Sequence, residues 1–139
     1  YQYRYANFPR SPFETMVRYL EGEISEDDIV LHDNKLSFFP AYIMNRGIPQ
    51  KFLMDPPGSF NDTLAQETQD ALGLYPERTI DQAIQGFDKI YFVVFSQTIQ
   101  EYQDQGLENH PNIVYLDDNM SFTDKHIWND LEVYVYQNR

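Results

Sequence analysis

Four short apolar runs, Ile29-Val30-Leu31, Phe52-Leu53-Met54, Ile90 to Phe95 and Ile113 to Leu116, each close on a polar residue and alternate with stretches of helical spacing. Runs apolar on both sides are what strands covered by helices on each face require, and their alternation with helices is the pattern of βαβ units. The chain is therefore expected to build an α/β domain in three layers, around a mostly parallel sheet of about five strands. Its 139 residues suffice for one hydrophobic core, and no repeat or break in composition marks a second domain.

The helices between the runs carry their own signals. Ser11-Pro12-Phe13-Glu14 supplies a cap, a proline where its missing N–H costs nothing, and a glutamate that closes a capping box, after which Met16, Val17, Leu20 and Ile24 recur at helical spacing. A second helix is expected over Lys35 to Arg46, interrupted or restarted at Pro40 and ended by Gly47. An exposed helix is read over 61–72, a short one after the capping box Thr79-Ile80-Asp81-Gln82, and another from about Thr98 to Gln105 with Ser96 as its cap. The run Lys89 to Phe95 is the longest and most apolar, which places it near the sheet centre. The segment 119–130 reads as irregular or briefly helical. Leu131, Val133 and Val135 then alternate with Glu132, Tyr134 and Tyr136, the pattern of a half-exposed final strand, expected antiparallel at an edge.

In open α/β sheets, ligands gather beyond the carboxyl ends of the strands. That rule nominates His32, Asp33, Asp55, Ser96, Asp117 and Asp118. A histidine beside carboxylates can serve as a general base or take a divalent metal. The same residue types also cap helices and close turns, and every one of these positions is a strand-to-loop transition, so local capping is the more ordinary account of them. A sheet of this kind is Rossmann-like, but the first strand leads into His32-Asp33-Asn34-Lys35 with no glycine, and no Walker-type loop occurs. The phosphate-cradling turns of nucleotide domains are absent, and no cofactor is expected.

Charge and composition narrow the partners. With 22 acidic against 10 basic residues the net charge is −12, which repels phosphate backbones and disfavours nucleic acid and direct adhesion through this surface to an anionic membrane. The absence of cysteine excludes disulfides and thiolate metal sites. His110 and His126 have no second ligand at helical or turn spacing. Trp128 with Tyr134 and Tyr136 offers either a stacking surface for a sugar or an anchor for the last loop. Asn61-Asp62-Thr63 and Asn119-Met120-Ser121 match the acceptor pattern for N-glycosylation, which matters only in a secretory route that performs it. No run reaches the length of a membrane span, and the start at Tyr1 points to a piece of a longer protein.

Taken in order, the first helix with Phe13, Val17 and Leu20, the acidic turn into Asp28-Ile29-Val30-Leu31, the aromatic stretch Phe38, Phe39 and Tyr42, the strand Asp88 to Val94 and the closing Leu131 to Tyr136 resemble a known type of domain. It is the soluble carboxyl-terminal domain that follows the membrane helices in multi-spanning glycosyltransferases of the dolichyl-phosphate-mannose protein mannosyltransferase type. The resemblance implies a domain on the extracytoplasmic face of a membrane, partnered by the membrane-embedded remainder of the same chain. It further implies a parent that moves a sugar from a lipid-phosphate donor to an acceptor. In that family the catalytic acids lie in a loop between membrane helices near the amino terminus, so no position here inherits them. The domain would then recognise donor or acceptor without catalysing transfer, with His32, Asp33, Asp55, Ser96 and Asp117 as candidate ligand-binding residues. Two other classes fit the residues: a protein-interaction domain using its aromatic surface, and a small metal-assisted enzyme using the strand-end carboxylates.

Overall fold

In a computed structural model, which describes residues 12–54, 70–71 and 73–139, the chain forms one five-stranded mixed sheet with helices against both faces. In chain order the elements are α1 (Pro12–Glu23), β1 (Asp28–His32), α2 (Lys35–Met44), β2 (Gln50–Phe52), α3 (Ile80–Ile84), β3 (Lys89–Phe95), α4 (Ser96–Asp104), α5 (Pro111–Asn119), β4 (Ser121–Trp128) and β5 (Leu131–Gln137). The strand order is β2-β1-β3-β5-β4. β2, β1 and β3 are parallel, with Val30 beside Gln50 and Tyr91. β5 runs antiparallel to β3, and β4 antiparallel to β5.

The parallel half follows the apolar runs. β1 is buried along its whole length and β3 is the third of five strands, as its hydrophobicity requires. Alternate residues separate into two cores. Ile29, Leu31, Ile90, Phe92 and Val94 pack with Ile80, Ala83, Ile113 and Leu116 from α3 and α5. Val30, Tyr91 and Val93 pack on the other face with Met16, Val17 and Leu20 of α1 and Ala41 of α2. The stripe expected for α1 is therefore its buried face. Pro40 does not interrupt α2, which runs through it and gives up only the N–H that would have reached the Leu36 carbonyl.

The antiparallel half corrects the sequence reading. Asn112 to Leu116 is not a fourth strand, and the sheet is therefore mixed rather than mostly parallel. His110 caps α5, its Nδ1 accepting from the Asn112 N–H at 3.0 Å, and Pro111 occupies the first turn. Ile113, Leu116 and Met120 then turn inward at helical spacing while Val114 is 43% exposed. A four-residue apolar run has no period of its own, and the cap decides. The segment read as irregular, 119–130, instead holds the whole of β4, an edge strand so little buried that its residues carry almost no hydrophobic signal. β5 is consequently interior. Glu132, Tyr134 and Tyr136 are buried with their partners in the alternation, because the tyrosine hydroxyls find acceptors in Glu132 and Asp117, each at 2.7 Å. A two-residue turn joins β4 to β5, with Asn129 at a φ of 60°.

Ser11, the glycosylation triplet at Asn61 and nearly all of the helix read over 61–72 lie outside the described residues. Thr79 precedes α3 without a side-chain cap bond. No helix among the described residues is long and apolar enough to cross a membrane.

Candidate functional site

The carboxyl ends of β1, β2 and β3 share a rim with the end of β4 and the start of β5. The nominated residues divide there among three environments. His32 points inward and is completely buried. Its Nε2 meets Gln50 Oε1 at 2.8 Å and its Nδ1 meets Ser37 Oγ at 2.8 Å. The Gln50 amide nitrogen donates to the Asn45 carbonyl at 3.3 Å, which leaves its oxygen to accept. Nε2 of His32 therefore carries the proton and Nδ1 accepts from the serine. Burial, partly countered by the Gln50 bond, brings the imidazole pKa down to about 4. A neutral ring with both nitrogens engaged ties β1 to α2 and β2, and no nitrogen remains for a ligand.

Asp33 sits one residue further on and joins β1 to the start of α5. Its N–H donates to the Val93 carbonyl at 2.8 Å, and its Oδ1 accepts from Asn112 Nδ2 at 3.2 Å. His110, 2% exposed, brings Nε2 within 2.8 Å of the same oxygen. The ring N–H is misdirected for a hydrogen bond, so the contact acts as an electrostatic attraction and leaves that nitrogen without a linear acceptor. Phe92 and Tyr102 close over the imidazole, with ring centroids at 6.0 and 4.6 Å. The Tyr102 phenol is raised above its ordinary pKa by burial and by the Asp33 charge.

Ser96 opens onto the third environment. It is the first residue of α4 and not its cap, a position held by Phe95. Its hydroxyl donates to Glu132 Oε2. Glu132, 8% exposed, also accepts from the Tyr134 hydroxyl, and Lys125 Nζ lies 3.5 Å from its Oε1 and 4.9 Å from the centre of the Tyr134 ring. Burial and then the Glu132 carboxylate hold the Tyr134 phenol well above its usual pKa, so it remains a donor. Gln100, Gln103 and Asn109 complete a cleft of about 320 Å³ between α4 and the β4–β5 ribbon.

Asp117 lies elsewhere. Because its segment is helical, it sits on α5 toward the opposite end of the sheet, where it accepts from Tyr136 and where its carbonyl takes Arg139 Nη2 at 2.9 Å. Asp118, next to it on the same helix, is exposed. Asp55 falls outside the described residues. The nominated residues that the structure describes thus do not converge on one pocket, and among them Ser96 alone lines the cleft. Trp128 lies on the other face of the sheet from Tyr134, stacked on His126 and against Tyr19 of α1, so it anchors the ribbon instead of extending a stacking surface.

Sequence reasoning missed Glu132, Lys125, Gln100, Gln103 and Asn109. One signal was present: Glu132 shares its parity in the final alternation with Tyr134 and Tyr136, which marks a carboxylate facing the same side as two phenols. Among the described residues no three His, Cys, Asp or Glu side chains come together as a metal site. The cleft instead assembles two-way amides, one compensated carboxylate, a hydroxyl, an ammonium and an aromatic ring. Such groups exchange hydrogen bonds with a neutral, hydroxyl-rich ligand. No family model matches the chain, and neither curated proteins nor solved structures yield a match.

Proposed function

We propose that this chain is a soluble domain on the extracytoplasmic face of a membrane glycosyltransferase of the dolichyl-phosphate-mannose protein mannosyltransferase type. In this reading it binds the sugar portion of donor or acceptor and leaves the chemistry to the membrane-embedded remainder of the same protein. The observation that carries the reading is the cleft between α4 and β5. Gln100 and Gln103 each donate one amide N–H within the protein, to Asp104 Oδ1 at 2.9 Å and to the Glu108 carbonyl at 3.2 Å, and Asn109 Oδ1 accepts from the His110 N–H at 2.7 Å; their remaining amide groups line the cleft beside the Tyr134 ring and could pair with sugar hydroxyls. The Ser96 hydroxyl is already donated to a carboxylate, with no imidazole beside it, which favours recognition over nucleophilic attack. The half-sheet β2-β1-β3, with helices on both faces, supports kinship with Rossmann-like domains that lack the glycine loop.

Saturation-transfer spectroscopy of the chain with methyl glycosides tests the reading. Transfer to a methyl hexoside, abolished by Gln100→Ala with Gln103→Ala, is the expected result. Absence of transfer at sugar concentrations on the order of 10 mM, where binding is worth only about 3 kcal/mol, would refute it.

A further inference from the structure

One wall of the cleft depends on the loop at 105–110, between α4 and α5. Residues 105–108 are exposed and Asn109 is half-buried, so the loop enters the core only at His110. On the α4 side its backbone closes back on the helix, with the Gly106 N–H donating to the Gln103 carbonyl at 3.0 Å and the Leu107 N–H to the Tyr102 carbonyl at 3.2 Å. Gln103 Nε2 donates to the Glu108 carbonyl at 3.2 Å, which ties a second cleft residue to the same loop. At the far end Asn109 Oδ1 accepts from the His110 N–H at 2.7 Å, and the Asn109 amide nitrogen is left to donate.

His110 is held in turn from the other half of the chain. Its Nε2 lies 2.8 Å from Asp33 Oδ1, its Nδ1 accepts from the Asn112 N–H, and Asn112 Nδ2 donates to the same Asp33 oxygen at 3.2 Å. Asp33 is itself fixed to the central strand by the bond from its N–H to the Val93 carbonyl. A carboxylate that does not line the cleft thus grips the first turn of α5 and the end of the loop together.

We infer that Asp33 is a positioning residue of the sugar cleft, which acts through His110 to fix the direction in which Asn109 presents its amide to a ligand. The inference rests on the reading of the cleft as a sugar site, and it adds a residue that governs binding without touching the sugar. Removing the carboxylate strands the buried ring N–H of His110 and the Asn112 amide without an acceptor, and the turn and loop then share their population among other arrangements. Apparent affinity falls by the fraction that stays competent, so a fall to about one fifth raises Kd about fivefold.

A double-mutant cycle on the 139-residue chain, titrated with a methyl hexoside and followed by the amide shifts of Ser96 and Glu132, tests it. Asn109→Ala and Asp33→Ala are each expected to weaken binding about fivefold. The double variant should bind within about twofold of either single one, because Asp33 has nothing left to position. In the ligand-free Asp33→Ala protein, amide shifts should change at 105–112 and stay in place at Lys125 and Glu132. Multiplied losses in the double variant, or full affinity in Asp33→Ala, would overturn the inference and leave the cleft standing. Should Asp33→Ala fail to fold, Asp33→Ser, whose side chain is too short to reach the ring, is read through the same cycle by the same criteria. A wild-type chain that binds no glycoside would refute the cleft itself, and this inference with it.

Discussion

Lowering the pH from 7 to 5 should destabilise the fold through His32 in particular. The imidazole titrates at about 4 when folded against an ordinary 6.5, so between those values the unfolded chain binds a proton that the native state refuses. Stability from this group is therefore complete above about pH 6.5 and is lost as the pH falls toward 4. With those two values the loss between pH 7 and pH 5 is about 2 kcal/mol, out of a limiting value of about 3 kcal/mol. The rest of the chain has its own pH dependence, so the measurement is a difference. Urea unfolding of the wild type and of His32→Gln, each at both pH values, isolates the contribution, because glutamine retains a polar partner for Ser37 or Gln50 and does not titrate. The variant should be weaker at pH 7 by about 1–3 kcal/mol, from imperfect pairing of buried groups. It should lose about 2 kcal/mol less than the wild type on acidification. Equal losses in the two proteins would refute the claim that His32 is held neutral by burial.

Two further substitutions test the corrected parts of the fold. Leu116→Ala should cost about 2–5 kcal/mol in urea unfolding, whereas Val114→Asp should fall within about 0.5 kcal/mol of wild type, because a helix turns the two apart and a strand would have placed both on one face. Asn129→Ala should destabilise by about 1 kcal/mol, and Asn129→Gly should be neutral or better, since φ at 60° penalises a β-carbon that has no local hydrogen bond to offer.

The parallel half of the sheet was legible because burial on both faces leaves an unbroken apolar run, as in Ile29 to Leu31 and Ile90 to Val94. The antiparallel half was not, for two physical reasons. Ser121 to Trp128 is an edge strand whose pairing is made by the backbone, and backbone hydrogen bonds leave no mark on side-chain identity. Tyr134 and Tyr136 read as outward-facing because they carry hydroxyls, yet a buried phenol needs only one acceptor, which Glu132 and Asp117 supply. The same misreading hid the cleft. Strand-end residues were visible as candidates, but His32 and Asp33 spend their polar atoms on holding α2, β2 and α5 in place. The amides of Gln100 and Gln103 are ordinary helix-surface residues until β5 is brought beside them.

Which amides respond to a bound glycoside is the most direct measure of the recognition role. A nitrogen-edited map of the chain, titrated with a methyl hexoside, should show shifts concentrated at Ser96, Gln100, Gln103, Asn109, Lys125 and Glu132, with Asp117 and His126 unmoved. Shifts clustered at any other surface, or spread evenly over the chain, would contradict a sugar site between α4 and β5.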